Sequence, residues 1–391
     1  MKTIATLAAA LLMSAAAAAQ SGIDAALKAV EANNSEIKAA RARLDAQTME
    51  ARAANLPGAT SVAYERMFGT GHGEDKTGKL TVTQEIEFPS VYAARGRANK
   101  SRREAYRMEY EETRRDILLR AKELCIDIIR LQHQDSLIRE RMANIAALDE
   151  IGDKRYANGD ITAIDLNKIK MQAMEARAAL TVNANEMRRA TSALAALNGG
   201  TMPDLATAAS WLTQPPTAIA AATDEAIAAD ASLARTLAAH QTAVAEVRTE
   251  RNKWLPSIEL SYIREQTFNA ANNGIEVGIS IPLMSNARTV KAARASRAYA
   301  AWQAEATRAA VTEDIGRASD EAASLMRTLD SYDVTLVQDN LAMLRRALDA
   351  GQISTIDYFT EANQLYAMLE TYCTLRADYE KAVARLHKHR L

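Results

Sequence analysis

The hydrophobic pattern of this chain changes its period twice in each half, and these changes predict where helices give way to strands. Apolar side chains recur every three or four residues from Ser21 to Asn55, which is the spacing of a helix with one buried face. A Leu-Pro-Gly run at 56–58 stops that helix, because proline lacks a donor and clashes with the preceding turn. The second half repeats this order, with a predicted helix over 223–254 and a stop at Leu255-Pro256.

Past each stop the period falls to two, which predicts a strand hairpin over 57–89 and another over 256–282. The less regular partner strand of the first hairpin is expected at about Thr60 to Phe68. The alternating apolar positions are Leu80, Val82, Ile86 and Phe88 in the first hairpin, and Ile258, Leu260, Tyr262, Ile275, Val277, Ile279 and Ile281 in the second. Roughly nine to twelve residues per strand is close to the length that a tilted strand needs to cross a bilayer.

A helical period then resumes at Pro89 and at Pro282 and predicts one very long helix in each half, ending at Gly159 and Gly351. Each would be about 100 Å long, and the two shorter helices of each half, placed end to end, match that length. Apolar residues at steps of three and four predict a coiled-coil seam on the long helix of the first half and on the last helix. The seam residues are Ile117, Ala121, Leu124, Ile128 and Leu131, and then Leu365, Met368, Tyr372, Leu375 and Tyr379.

A seven-residue phrase occurs twice, once in each half. Gly-Asp-Ile-Thr-Ala-Ile-Asp at 159–165 returns as Gly-Gln-Ile-Ser-Thr-Ile-Asp at 351–357. Self-similarity at a fixed shift indicates an internal duplication. We therefore predict a first structural repeat over 20–200, a proline-rich linker over 201–216 and a second repeat over 217–391.

Both phrases have the residues of a chain reversal between two helices. Gly159 and Gly351 stand where a positive φ is needed after a helix. A hydroxyl and a carboxylate follow at capping-box spacing, in which each satisfies a free amide of the next helix. The two pairs are Thr162 with Asp165 and Ser354 with Asp357. This structural role explains both acids without any further function.

The N-terminus has the pattern of a cleaved secretory signal over residues 1–19. Lys2 is followed by an apolar segment from Ile4 to Met13 and by small residues suited to cleavage near Ala17 and Ala19. That apolar run is short for a bilayer span, which needs roughly 18 or more residues. Since no cysteine follows the expected cut, the mature chain is predicted not to be lipidated.

Composition narrows the classes of function. The chain has 391 residues but only 15 Gly, 7 Pro and 5% aromatic residues, which favours long packed helices over several compact domains. A formal net charge of -1 gives no general attraction to nucleic acid. No nucleophile elbow, phosphate loop or paired-cysteine motif is present, so we predict no catalytic residue, cofactor or metal. His72, His387 and His389 are weak metal candidates, because they lack companion ligands.

Cys125 and Cys373 are the two cysteines of the chain. Counted from the repeated glycines, they would stand about 18 Å apart along the helices. A disulfide needs Cα atoms within about 7 Å. We therefore predict two free, buried thiols.

Four strands are too few to close a barrel in a membrane, for which about eight is the known minimum. An open sheet in lipid leaves edge groups unsatisfied, at several kcal/mol each. Three copies would supply twelve strands. Amphipathic hairpins behind a signal peptide therefore predict an oligomeric barrel in the outer membrane, with the helices extending into the periplasm.

The arrangement resembles the TolC-type outer-membrane factor family over nearly the whole mature chain. The resemblance rests on the duplicated halves, Leu-Pro before and Pro after each hairpin, the long helix, the G-x-[IV]-[ST]-x-x-[DE] turn and the returning helix. It implies a mainly α fold with a small β part, in which long-helix hairpins form a periplasmic α-barrel. It also implies a homotrimer with a twelve-stranded barrel that serves as the exit duct of a tripartite efflux or type I secretion system. The implied partners are a periplasmic adaptor, an inner-membrane pump and outer-membrane lipid.

The resemblance also suggests roles for particular residues. The two turns would form the periplasmic tip and contact the adaptor through Gly159, Ile161, Thr162, Gly351, Ile353 and Ser354. Asp165 and Asp357 would line the pore entrance in addition to capping. Some relatives close this tip with a tyrosine and an arginine, but Leu348 and Ile353 stand at the places that align, so that polar lock is expected to be absent.

Basic residues follow both predicted hairpins. Arg95 and Arg97 come after the first, and Arg288 and Lys291 come after the second. Their repetition where strands meet helices suggests contact with anionic lipid headgroups. A solvated helix face explains them equally well.

Two other kinds of exported protein share part of this pattern. A periplasmic coiled-coil adaptor also has a helical hairpin, but a single one set in small β domains. A structural coiled-coil scaffold would have no channel, and would be recovered as a soluble monomer or dimer.

Overall fold

The computed structural model describes residues 22–67, 77–205, 223–267, 270–282 and 287–391. The expected signal over 1–19, residues 206–216 of the predicted linker and His72 lie outside the described residues. In the first half the elements are α1 (22–33), α2 (Ser35–Ala53), β1 (Ser61–Met67), β2 (Thr77–Ile86), α3 (Pro89–Ala157) and α4 (Ala163–Leu197). In the second half they are α5 (Thr223–Ala228), α6 (Ala231–Asn252), β3 (Ser257–Gln266), β4 (Ala271–Ser280), α7 (Ala287–Leu329), α8 (Val334–Asp349), α9 (Thr355–Leu386) and a short 3₁₀ helix (Lys388–Arg390).

The chain folds into two compact units, and each combines segments from both halves. The first contains the described parts of Met1–Ala39, Thr113–Ala228 and Thr312–Leu391. The second contains the described parts of Ala40–Glu112 and Ala229–Val311, including all four strands. The two predicted repeats therefore describe the duplication of the sequence and are not the two folded units. The boundaries of the repeats and of the linker stay a prediction.

The four strands form one antiparallel sheet in the order β1-β2-β3-β4. The register pairs Val62 with Val82, Val82 with Tyr262, and Tyr262 with Ile275. Both hairpins are present as predicted. The second strand starts before the predicted Leu80 and ends at Ile86, short of Phe88, because Pro89 already begins α3.

The prediction of one uninterrupted long helix is confirmed in the first half and wrong in the second. Helix α3 runs for 69 residues, whereas its counterpart is divided into α7 and α8. At the break, the carboxylate of Asp333 accepts the Leu336 amide at 2.9 Å and caps α8. A short polar side chain that bonds a nearby amide offers the backbone an alternative to the helix.

The shorter helices predicted before each hairpin, over 21–55 and 223–254, are also divided. Asn34 separates α1 from α2, and its side-chain oxygen accepts the amides of Glu36 and Ile37, each at 2.9 Å. Asp230 separates α5 from α6 and accepts the Leu233 amide at 2.9 Å. A carboxylate or amide oxygen at an N-cap satisfies a donor that the first turn leaves free.

Helices α3 and α9 lie antiparallel in the first unit. Glu123 pairs with Arg385 at 2.8 Å and Asp127 with Lys381 at 2.7 Å. Most of the predicted α3 seam is buried: Ile117, Ala121, Ile128 and Leu131. The seam predicted on α9 is confirmed at Tyr379, which is buried with Tyr372 and Leu375 packed against the same cluster. It is wrong at Met368, which is 43% exposed, while the neighbouring Leu369 is buried. One residue turns the helix by about 100°.

The cysteines are free and buried, as predicted. The α3/α9 register places Cys125 about ten residues, or ~15 Å, from Cys373 along the helices. Burial in apolar surroundings raises the pKa of Cys125 to about 12 and that of Cys373 to about 11. Both cysteines are therefore protonated at neutral pH. A protonated thiol is a poor nucleophile, because the thiolate is the reactive form.

Candidate channel-forming sheet and chain reversals

One face of the sheet is apolar and exposed. Cross-strand partners on this face are Val62, Val82, Tyr262 and Ile275 in one row, with Leu260 opposite Val277 and Ile258 opposite Ile279 in the next rows. Val62 is 68% exposed and Ile275 is 77% exposed. In water this face would be a large unpartnered apolar patch, which marks contact with a membrane or another protein.

The opposite face of the sheet is polar. The hydroxyls of Thr83 and Ser261 lie 2.8 Å apart across the two central strands. Glu85 stands opposite Glu259 in the register, and Ser261 stands opposite Glu276. One face is mainly apolar, although it includes Gln84 and Arg264, and the other is mainly polar, although it includes Ile263. This is the alternation of a membrane β-barrel, whose interior is polar.

The sheet is open at both edges. Strand β1 pairs only with β2 and strand β4 only with β3 among the strands that the structure describes. Each edge therefore presents a row of backbone donors and acceptors that another strand can satisfy.

Aromatic side chains stand where the helices join the sheet. Trp254, between α6 and β3, is 41% exposed, and Phe88, between β2 and α3, is 40% exposed. Membrane proteins concentrate such residues at the boundary between hydrocarbon and water.

The predicted lipid-facing basic residues differ in their surroundings. The Arg95 guanidinium forms an ion pair with Glu87 and donates to the Ala54 carbonyl at 3.4 Å. Arg97, Arg288 and Lys291 are exposed. Arg95 is therefore held by contacts within its own chain. The other three side chains lie exposed on the surface of α3 and α7.

Both repeated glycines reverse the chain with the same backbone hydrogen bonds. Gly159 has a φ of 80° and donates to the Tyr156 carbonyl at 3.0 Å, and Asp160 donates to the Arg155 carbonyl at 2.8 Å. Gly351 has a φ of 70° and, with the following amide, makes the equivalent two bonds. This is the Schellman motif, which ends a helix with a left-handed residue. The predicted positive-φ role of both glycines is confirmed.

The hydroxyl of Thr162 caps α4 as the spacing predicted. It accepts the Asp165 amide at 3.2 Å, while the Asp165 carboxylate accepts the Thr162 amide at 3.0 Å. The Thr162 hydroxyl also donates to this carboxylate at 2.8 Å, and the bonds from the hydroxyl and the amide of Thr162 lower the pKa of Asp165. In the second copy the Ser354 hydroxyl accepts the Asp357 amide at 3.1 Å and donates to its carboxylate at 2.7 Å.

The two reversals lead into helices that lie side by side. Starting turns of α4 and α9 line a shared groove of about 230 Å³. Within it the Asn363 amide donates to Gln172 at 2.8 Å, and Arg141 of α3 donates to the same oxygen at 2.9 Å. Sequence reasoning missed this link, because nothing in either helix marks which polar residue will meet a partner across the groove.

Apolar packing supports the groove from below. Leu348 is buried, and Ile353 packs half-buried against the same cluster, so neither supplies a polar lock. Tyr366 accepts from Asn144 at 2.7 Å, and burial raises the pKa of this tyrosine. The cluster contains Ile145, Leu148, Ile169, Ala176, Leu348, Tyr358, Phe359, Ala362 and Tyr366.

Of the two C-terminal histidines, His389 lies beside an exposed acid–arginine pair. His389 lies 3.3 Å from Glu225, which also pairs with Arg390 at 3.1 Å. Across the described residues, no group of three or more His, Cys, Asp and Glu side chains is placed to hold a metal ion. None of the described helices is both long enough and apolar enough to span a bilayer.

An amphipathic four-stranded sheet joined to long helical hairpins is the fold of TolC-type outer-membrane channels. Solved structures with this fold include CusC, with a TM-score of 0.80 and 14% identity over 94% of this chain and 92% of that one. The Campylobacter jejuni CmeC outer membrane channel has a TM-score of 0.78 and 15% identity over 94% and 85%. VceC from Vibrio cholerae has a TM-score of 0.76 and 18% identity over 94% and 95%.

At these identities the comparisons establish the fold. They confirm the predicted mainly α architecture with a small β part and its resemblance to the outer-membrane factor family at that level. By sequence, the chain matches no protein-family model and no curated protein.

Proposed function

We propose that this chain is one protomer of a passive outer-membrane exit duct. The observation that carries the proposal is the amphipathic sheet with two open edges: β4 of one copy pairs with β1 of the next, and three copies close a twelve-stranded barrel. Closure satisfies every edge group, each of which costs several kcal/mol if left unpaired in lipid. The apolar face then contacts hydrocarbon and the polar face lines the lumen.

The solved structures support this assignment through their fold. CmeC is described as an outer membrane channel, and CusC in terms of transmembrane channel formation. In the proposed duct the chain is exported through a cleaved signal peptide and is not lipidated. Its helices extend into the periplasm, and the duct performs no catalysis.

The turns at Gly159 and Gly351 are proposed as the surface that meets a periplasmic adaptor. They are exposed, they carry equivalent backbone geometry, and the helices after them share one groove. Through the adaptor the duct would receive cargo from an inner-membrane pump, either in a tripartite efflux system or in type I secretion. Asp165 and Asp357 would give the entrance a negative charge that favours cations.

Lipid contact at the helix-bound end of the sheet is proposed for Trp254, Phe88 and the exposed basic residues. The exposed side chains of Arg97, Arg288 and Lys291 would contact anionic headgroups. Each contributes about 1 kcal/mol of binding free energy near a charged membrane surface. Arg95 would act indirectly, by holding Glu87 and the end of α2 in place.

Fractionation, mass and conductance together test the duct. We expect the exported protein in the outer-membrane fraction, a trimer by native mass spectrometry in detergent, and discrete conductance steps in planar bilayers. Recovery as a soluble periplasmic monomer or dimer would instead support the adaptor or scaffold interpretation and overturn the proposal.

A further inference from the structure

The charges of the described strands are segregated between the two faces of the sheet. Successive residues of a strand point to opposite faces, so the register assigns each side chain to one of them. The polar face carries every acid of these strands and one lysine: Glu65, Lys79, Glu85, Glu259, Glu265 and Glu276. The mainly apolar face of the same strands carries no acid, but it includes Arg66 and Arg264, and both are exposed.

Both arginines lie in the two rows of this face that are nearest the hairpin loops. Arg264 is opposite Leu80, and Arg66 is opposite Gly78. Counted from Phe88 at the helix-bound end, these rows are about 26 and 33 Å along the strand, or roughly 20 and 25 Å along the normal of a bilayer for strands tilted by 35–45°. The apolar band of a membrane barrel is about 25 Å tall, and a charge on its lipid face is tolerated only near the band's edges.

Two tyrosines of this face point their hydroxyls toward the loop end. The Tyr262 hydroxyl donates to the side-chain oxygen of Asn273, one row nearer the loops, at 3.1 Å. Tyr64 extends over Gly78, where a β-carbon would lie 2.9 Å from the tyrosine hydroxyl oxygen. Tyrosine at a membrane interface keeps its ring in the apolar region and its hydroxyl at the headgroups. These rows therefore mark the second boundary of the hydrocarbon, opposite Phe88.

Polar groups on a lipid-facing surface need partners, because hydrocarbon supplies none. Gln84, nearer the helices, finds them in its own chain: its amide donates to the Gly58 carbonyl at 2.8 Å, and its oxygen accepts the Thr60 hydroxyl at 2.6 Å. Arg264 stands between Leu80 and Asn273 in its row, and neither is charged. Its counter-charge therefore comes from outside the described sheet.

Gly78 leaves a gap between the two arginines. Arg66 is directly opposite it on β1, and Arg264 is diagonal to it on β3. Strands β1 and β3 are two strand spacings apart, about 10 Å, so the two side chains can approach one group from opposite sides. The Tyr64 hydroxyl over Gly78 adds a donor between them. Guanidinium groups bind phosphate oxygens in a bidentate manner, which makes phosphate the anion that best fits this notch.

Building on the proposed duct, we propose that Arg66, Arg264 and Tyr64 bind a phosphate group of lipopolysaccharide. If the helices extend into the periplasm, the loop end of the sheet meets the outer leaflet of the outer membrane. That leaflet consists largely of lipopolysaccharide, whose lipid A anchor carries phosphates at the hydrocarbon boundary. Height, charge and donor geometry thus agree on one ligand, and three copies provide three such sites around the barrel.

Lipid titration followed by native mass spectrometry tests the site on the detergent-extracted full-length protein. Bisphosphorylated lipid A should bind the trimer, and Arg264→Gln and Arg66→Gln should each weaken that binding about fivefold. Tyr64→Phe should have a smaller effect, and Arg264→Lys should retain more binding than Arg264→Gln. Lys79→Gln is the matched control, because it removes a cation at the same height on the polar face, and it should leave the affinity unchanged.

The outcomes distinguish this site from the duct itself. A trimer that binds lipid A equally well with and without both arginines, or that loses as much binding in Lys79→Gln, would overturn the site and leave the duct standing. A protein that is monomeric in detergent would overturn both. If phosphatidylglycerol binding depends on the arginines as strongly, the surface is a general anionic interface and the lipopolysaccharide site is refuted. Should the glutamine variants fail to assemble, the unaltered chain decides: equal binding of lipid A with and without its phosphates would overturn the site.

Discussion

The side-chain amide of Asn363 donates to the side-chain oxygen of Gln172 across 2.8 Å, which joins α9 to α4 just inside the two chain reversals. The two residues belong to different halves of the duplicated sequence. Their bond makes the two helical hairpins share one polar contact, so opening one hairpin disturbs the other.

Removing that contact should loosen both helix starts together. Gln172→Ala deprives Asn363 and Arg141 of one acceptor, and we expect a loss of about 0.5–1.5 kcal/mol of local stability. Hydrogen exchange followed by mass spectrometry should show faster exchange in the first turns of α4 and α9. Gln364→Ala, at the neighbouring exposed position, is the control, and equal effects of both variants would contradict the assignment.

Replacing either repeated glycine by alanine should destabilise its reversal by about 1 kcal/mol, because a β-carbon is strained at positive φ. Open space surrounds both glycines, so the cost comes from the backbone alone. Gly316→Ala is the matched control, since Gly316 lies inside α7 with open space around it. It should stabilise the helix by up to about 1 kcal/mol. Thermal unfolding in detergent measures both; a stabilising Gly159→Ala would refute the strain argument.

The two faces of the sheet should respond differently to a new charge. Val277→Lys places an ammonium on the apolar face and should cost about 2–4 kcal/mol if the residue sits near the bilayer midplane. Glu276→Lys, one residue away on the polar face, should leave membrane insertion intact. The yield of membrane-inserted protein distinguishes them, and equal insertion of both variants would argue against a lipid-facing surface.

The bonds to Thr162 hold the pKa of Asp165 below its ordinary value. A carboxyl whose pKa is lower folded than unfolded stabilises the fold above the unfolded value, about 3.9, and loses that contribution as pH falls through the folded value. Thr162→Ala should therefore raise the pKa of Asp165, as read from an NMR titration of the labelled carboxyl. Ser354→Ala, in the other copy of the turn, should leave it unmoved.

The native thiols should resist alkylation while the chain is folded. Burial raises the pKa of Cys125 to about 12 and that of Cys373 to about 11, so the thiolate is scarce at pH 8. Mass spectrometry should find neither modified by iodoacetamide under native conditions and both modified in denaturant. Rapid native labelling of Cys125 would contradict its burial.

Periodic features could be predicted from the sequence, and features made by single contacts could not. The alternation of Ile275, Val277 and Ile279 predicts a strand from its period of two alone. The two repeated glycines are likewise predictable, because a reversal after a helix needs a residue with positive φ. The division of the second long helix depends on the Asp333 cap, while the apolar period continues through it. The Gln172 to Asn363 bond depends on how two separate helices meet, which neither helix encodes alone.

The apolar pattern also did not predict which of two adjacent apolar residues on a helix is buried. The α9 seam was expected through Met368, yet Leu369 is buried and Met368 is exposed. Neighbouring apolar residues on a helix are about 100° apart, so choosing between them requires knowing the direction of the partner helix. That direction follows from ion pairs such as Asp127 with Lys381, which connect distant parts of the chain.

The open edges of the sheet have a genetic consequence. A ring closes only if every copy can pair through both its β1 edge and its β4 edge. One copy with an edge strand that cannot pair therefore prevents closure of a ring that also contains two unaltered copies. In the proposed duct, a variant with a proline in either edge strand, co-expressed with the unaltered chain, should therefore lower the yield of closed trimers by more than its share of the protein. Loss-of-function alleles in these strands would behave as dominant, whereas early truncations that never reach the membrane would be recessive.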